Sequence, residues 1–175
     1  MKKISIFVIV TMALSITSSP ASLAWFVSNK TDDFGSQYTT VSTYYTSEVG
    51  QFDDLSTLSN YTDTVFLSLT MRCRDKKFEI YSAAMHSQTN DDVLDTTQSS
   101  VQIRFNNSFI KSWPVSASST SFFYSNPISL WKKLLASKSF AFRAQGNQGD
   151  GIAAHFNLAG IAAYKSTFRK LGCSV

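Results

Sequence analysis

Residues 64 to 73 set the strongest limit on what this chain can fold into. Val65, Leu67, Leu69 and Met71 alternate with Phe66, Ser68, Thr70 and Arg72. A repeat of two puts successive side chains on opposite faces of an extended strand, whereas a helix needs apolar residues three and four apart. The polar run Arg74-Asp75-Lys76-Lys77 then reads as a turn, and Phe78 to Met85 resumes the strand pattern, so residues 64 to 85 predict a β-hairpin.

The same period returns further on. Val101 to Phe105 alternates, Asn106-Asn107 supplies a turn, and Phe109 to Trp113 restarts the apolar pattern as the second arm of another hairpin. Short strands are expected at Ser121 to Tyr124, at Phe140 to Arg143 and at Ile152 to Phe156. Residues 25 to 63 are rich in Ser, Thr, Asp and Tyr, and only Tyr38 to Tyr45 alternates. They are expected to form an irregular N-terminal segment with one strand, ahead of a β-rich domain over residues 64 to 175.

Two stretches change period. Asn126 followed by Pro127 is an N-cap with proline at the first helical position, and Ile128, Trp131, Leu134 and Leu135 follow at helical spacing. Asn157 is expected to cap a last helix with Ile161, Tyr164, Phe168 and Leu171 on one face, stopped by Gly172. The predicted fold is mainly β (α+β): an antiparallel, sandwich-like domain with two short helices and one disulfide.

Met1-Lys2-Lys3 and the apolar run from Ile4 to Ile16 form a cationic start and a hydrophobic stretch too short to span a bilayer, which takes about 20 residues. Ser22-Leu23-Ala24 then offers a signal peptidase site, with cleavage expected between Ala24 and Trp25. The mature chain is thus expected to be periplasmic or secreted, in a bacterial setting, without stable membrane insertion. Two cysteines, Cys73 and Cys173, are expected to form one bridge in such an oxidising compartment. Closing a loop of about 100 residues stabilises by up to about 4.7 kcal/mol in the chain-entropy account. The net charge of +4 includes the two leader lysines, and no dense Lys/Arg run argues for nucleic acid.

Catalytic chemistry has few residues to draw on. His86 and His155 lie far apart and outside any ligand spacing. Asp91, Asp92 and Asp95 lack the alternation, glycine and closing glutamate of a calcium loop. The glycine-rich Gln145 to Gly151 lacks the Lys-Ser/Thr of a phosphate loop and leads into a strand, which makes it a hairpin connection. No serine sits in a G-x-S-x-G elbow. No catalytic residue, metal ligand or cofactor is therefore expected. Aromatic residues are plentiful, with 14 Phe, 7 Tyr and 3 Trp. Most suit a sheet core, and Trp25, Phe26, Phe122, Phe123 and Tyr124 are the candidates for a recognition patch.

One ordered set of segments resembles a known family. Phe66 to Cys73, Lys77 to Tyr81, Val101 to Phe105, Lys111 to Ser116, Trp131 to Leu134, Phe140 to Arg143 and Ala154 to Gly160, closing at Cys173, resemble the domain of type VI secretion system-associated proteins of the TagO/VasI kind. The resemblance implies an exported β domain with this cysteine pair, a non-enzymatic accessory role and an envelope or secretion-apparatus protein as partner. It carries over no active site, and the stretch up to Asp63 lies outside it. The alternative expectation is a periplasmic inhibitor or immunity protein acting on a toxin or cell-wall hydrolase. It would work through a protruding loop, with Ser87 to Thr97 and Gln145 to Gly151 as candidates.

Overall fold

The computed structural model describes residues 25–32, 35–47, 65–86, 94–95, 97–118, 121–146 and 151–175. The proposed leader and Ala24 lie outside them. The described chain forms nine strands: β1 (Phe26–Thr31), β2 (Gln37–Ser47), β3 (Val65–Arg74), β4 (Lys77–His86), β5 (Ser100–Phe105), β6 (Lys111–Ser118), β7 (Ser121–Tyr124), β8 (Ser139–Gln145) and β9 (Gly151–Asn157). Helix α1 (Pro127–Leu135) lies between β7 and β8, and a 3-10 turn at Ile161–Tyr164 leads into α2 (Lys165–Lys170).

All strand pairs are antiparallel, in the order β1-β2-β3-β4-β7-β6-β5-β8-β9. Strand β6 serves two half-sheets. Its second half pairs with β7 from Val115 to Ser118, and its first half pairs with β5 up to Pro114. Proline has no backbone N–H to give to a ladder, so it suits the point where a strand changes partners. There the Pro114 carbonyl accepts from Ser125 and the next N–H, of Val115, donates to Ser99.

The inner faces of both half-sheets bury one continuous core. Leu67, Leu69 and Met71 of β3, Phe78 and Ile80 of β4, Val101 and Ile103 of β5, and Phe140 and Phe142 of β8 all point into it. Over residues 67 to 73 the alternation read from the sequence is therefore the alternation between core and outer face. The first hairpin turns through Asp75 and Lys76, both left-handed (φ 51° and 61°), which matches the strand twist in a two-residue connection.

Three readings need correction. The segment before residue 64 contributes two strands to the same sheet: β1 pairs with β2 from Phe26↔Ser42 to Thr31↔Gln37, and β2 runs along β3 from Tyr38↔Arg74 to Ser47↔Val65. Hydroxyl-rich β2 lacks a strong apolar alternation because Thr39 and Thr43 fill core positions beside Val41. The second arm of the β5–β6 hairpin starts at Lys111, which leaves Phe109 and Ile110 in the connection. The last helix starts later than Asn157: the Asn157 side chain accepts from Ala159, the chain turns through Gly160 at φ 83°, and Leu171 ends 42% exposed.

Helix α1 begins as read, with the Asn126 side chain accepting from Ser129 N–H and Pro127 in the first turn. It packs on β4 through Leu130, Trp131 and Leu134. Helix α2 ends in a Schellman pair, Cys173 N–H to Phe168 C=O and Gly172 N–H to Arg169 C=O, with Gly172 at φ 82°. This turn delivers Cys173 to Cys73, and the two form the disulfide, with Cα atoms 6.1 Å apart. Beside it Phe78, Trp131 and Phe168 meet edge to face at centroid distances of 5.1 to 5.9 Å. Trp25, the first described residue, is tied to this region: its Nε1 donates to Ala159 C=O at 2.9 Å and its ring lies 6.4 Å from that of Tyr164.

Two stability effects follow from this architecture. Replacing both Cys73 and Cys173 by Ser should cost about 2 to 5 kcal/mol, read as a lower urea midpoint than that of the oxidised chain; equal midpoints would mean that the aromatic cluster alone holds α2. The buried Tyr124 hydroxyl contacts Ser82 Oγ at 2.7 Å, and burial outweighs that hydrogen bond to push its pKa well above 10. The unfolded chain releases this proton near pH 10 while the folded chain keeps it, so the group withdraws stability as pH rises above about 10. In Tyr124→Phe the alkaline decline of the urea midpoint should be shallower.

Candidate binding surfaces

Cross-strand neighbours share a face, so the register fixes what each half-sheet presents outward. On the half formed by β1, β2, β3, β4 and β7 one row runs Phe26, Ser42, Thr70, Tyr81, Phe123. The hydroxyls of Ser42 and Thr70, both buried at 6% and 4% exposure, meet at 2.9 Å in the middle of it, so the accessible parts of the row are Phe26 at one end and Tyr81 with Phe123 at the other. The adjacent row holds Arg72 opposite Glu79, and Arg72 Nε donates to Glu79 Oε2 at 2.8 Å. The Arg72 guanidinium carbon lies 5.7 Å from the Tyr38 ring centre and 5.4 Å from those of Tyr81 and Phe123. Cation–π attraction and the carboxylate together fix this long side chain, whose exposure falls to 15%. Lys77 reaches the other Glu79 oxygen at 3.4 Å. Tyr38, Tyr81 and Phe123 remain partly open to solvent, and Phe26 is 52% exposed.

The five residues of the anticipated patch are therefore divided. Phe26 and Phe123 share this outer face. Phe122 and Tyr124 alternate with Phe123 and point into the core, at 0% and 3% exposure, so they contribute no surface. Trp25 is engaged with Ala159 and Tyr164. Arg72, Tyr38 and Tyr81 escaped the sequence reading because their convergence depends on the register of β2, β3, β4 and β7, which no single segment reveals.

The other half-sheet presents a shallow groove on the outer face of β5, β8 and β9. Arg104, Ala141 and His155 form one row across it, and Gln102, Arg143 and Ala153 the next. The alanines give a low floor between two guanidiniums and an imidazole, and Ile110 forms one wall. Partial burial, and secondarily the positive charge of Arg104, hold the His155 imidazole below its ordinary pKa. At the end of the groove the β5–β6 connection projects Phe109, 90% exposed, and Ile110, 55% exposed.

Chemistry of the catalytic kind finds no assembled site among the described residues. His155 stands on β9, and His86 ends β4 with its side chain outside the description. No group of three His, Cys, Asp or Glu that could hold a metal ion occurs among the described residues. Asp95 Oδ1 accepts from the Thr97 hydroxyl at 2.7 Å and the Thr97 N–H at 2.9 Å, which lowers its pKa and marks a turn; Asp91 and Asp92 lie outside the described residues. The glycine-rich connection joins β8 to β9, paired up to Gln145↔Gly151, in keeping with a hairpin. No helix among the described residues is long and apolar enough to cross a membrane.

No family model matches the chain, and no curated protein or solved structure matches it either. The two outer faces therefore carry the functional reading.

The Arg104 influence on His155 is directly measurable. In an NMR pH titration the His155 imidazole should titrate below pH 6.5, and in Arg104→Gln its midpoint should move up. An unchanged midpoint would mean that the two side chains do not face each other across the groove.

Proposed function

We propose that this chain is an exported, non-enzymatic interaction protein that serves a type VI secretion system as an accessory component in the bacterial envelope. The observation that supports an interaction role best is the outer face around Arg72. Arginine and tyrosine are the side chains that most often dominate binding energy at protein interfaces, and their contribution is largest where they are held in place before the partner arrives. Arg72 is held by Glu79 and the rings of Tyr38, Tyr81 and Phe123, and Phe26 stands farther along the same face on the first strand. Export is supported by the leader-like N-terminus together with the Cys73–Cys173 bridge, a bond that persists in oxidising compartments. The secretion assignment rests on the family resemblance of the segments from Phe66 to Cys173.

A second reading, an inhibitor or immunity protein for a toxin or cell-wall hydrolase, is favoured by the exposed Phe109–Ile110 tip, since inhibitors commonly insert a projecting loop into a cleft. The loops expected for that role, Ser87 to Thr97 and Gln145 to Gly151, lie largely outside the described residues (87–93, 96 and 147–150), and the tip stands beside them as a further candidate.

The two readings use different surfaces and separate in one experiment. A photo-reactive residue is placed at Phe123 in one preparation of the oxidised exported chain, at Phe109 in a second and at Lys170 as control, and adducts formed in the envelope are identified by mass spectrometry. Secretion-apparatus subunits joined through position 123 are expected, and Tyr81→Ala should weaken that complex by tenfold or more, a loss on the order of 2 kcal/mol. A hydrolase or toxin joined through position 109 would establish the inhibitor reading. The same adducts at position 170 as at 123 would overturn the assignment of the Arg72 face.

A further inference from the structure

We propose that the Phe109–Ile110 tip and the basic groove beside it form a peripheral docking site for an anionic phospholipid surface. The first support is the tip itself. Phe109 is 90% and Ile110 55% exposed at the end of a hairpin, a position where an apolar side chain gains only by entering something else. The tip is also built to hold its shape. Asn106 takes a left-handed conformation, its side chain accepts from the N–H groups of Lys138 and Ser139 at 2.8 and 3.2 Å, and its own N–H donates to Ser139 C=O. The connection is thereby fastened to the start of β8.

The second, independent support is charge. Arg104 and Arg143 line the groove that Ile110 walls, and Lys138 is the residue to which Asn106 is tied. The acids among the described residues are Asp32, Asp75, Glu79 and Asp95. None of these four lines the groove. Asp32 and Asp75 stand in or beside the β1–β2 and β3–β4 turns, Glu79 is paired with Arg72, and Asp95 is bonded beside Gln145, at the end of β8 away from the tip.

An apolar tip flanked by cations fits an interface in which lipid phosphates lie just outside the acyl chains. A soluble anion would use the arginines and leave Phe109 in water. A lipid surface uses both. Docking of this kind needs no membrane-spanning segment, and it leaves the Arg72 face, on the opposite outer side of the sandwich, open to a protein partner.

The test is flotation of the oxidised exported chain with vesicles of phosphatidylcholine alone and of phosphatidylcholine mixed with phosphatidylglycerol, at low and high salt. Partition should favour the anionic vesicles by tenfold or more and fall with salt, with about a fivefold loss for each of Arg104→Gln and Arg143→Gln. Phe109→Ser combined with Ile110→Ser should lower it about tenfold while the urea midpoint stays unchanged. A gain of signal guards against a merely damaged protein: the Phe109→Trp variant should shift its emission to the blue on anionic vesicles and be quenched by brominated acyl chains. Equal partition on both vesicle types, no emission shift, or undiminished binding by the Phe109/Ile110 double variant would overturn the proposal. Suppression of vesicle binding by inorganic phosphate at low concentration, with the emission of Phe109→Trp unmoved by vesicles, would assign the groove to a soluble anion instead. None of these outcomes bears on the cross-linking at Phe123, so the two assignments stand or fall separately.

Discussion

The switch of β6 from one half-sheet to the other is the constraint on which the rest of the molecule depends. A flat antiparallel sheet of nine strands would leave one apolar face in water, and twist alone does not hide it. By pairing with β5 up to Pro114 and with β7 from Val115 onward, β6 lets the sheet turn back on itself. Both inner faces then bury into a single core, in which Phe140 meets Phe105, Tyr124 and Phe156 at 5.5 to 6.4 Å. Because the fold is made by one strand with two allegiances, the two outer faces necessarily look away from each other. A surface on β3 and β4 and a surface on β8 and β9 are thus available to two different partners at once.

The chain ends complete what β6 begins. Neither α2, six residues long, nor the 3-10 turn before it is long enough to be stable alone, since isolated helices below about 12 residues are marginal in water. Phe168 packs edge to face on both Phe78 and Trp131, and the disulfide fixes Cys173, just beyond α2, to β3, so the C-terminal segment acts as a plug over the β3–β4 side of the core. Trp131 spends its indole N–H in this arrangement: it is buried without a hydrogen-bond partner among the described residues. An unpaired buried donor costs on the order of 1 to 3 kcal/mol. The ring is retained there for its volume and its edge-to-face contacts, which a smaller residue would not supply.

The period-two runs at 64–73 and 101–105 and the capped run at 126–135 were readable because each depends on residues close in sequence: alternation, a turn and a cap. The Cys73–Cys173 pairing was readable because there were only two cysteines to pair. Strand β1 was not, since Phe26-Val27-Ser28-Asn29-Lys30-Thr31 is exposed along nearly its whole length and has no buried face to impose alternation on its sequence. The division of Phe122 and Tyr124 from Phe123 follows from the same rule of alternation, but a run of three aromatics conceals which of them is inward until the register with β4 is known: Phe122 lies opposite Ser82 and Phe123 opposite Tyr81. The two candidate surfaces lie furthest from the sequence, because each assembles from three or more strands that are remote along the chain.

Fixing a cation and leaving one free are different physical choices, and the two outer faces make one each. Arg72 is neutralised by Glu79, covered by rings and oriented, so its contribution to a partner is shape and directional hydrogen bonding with little long-range field. Arg104 and Arg143 have no carboxylate beside them among the described residues, and their fields add across one groove. Such a field attracts anions over roughly a Debye length, about 8 to 10 Å at physiological salt, without demanding a particular geometry. The first arrangement suits recognition of one protein surface, and the second suits a lipid surface whose charges are many and mobile.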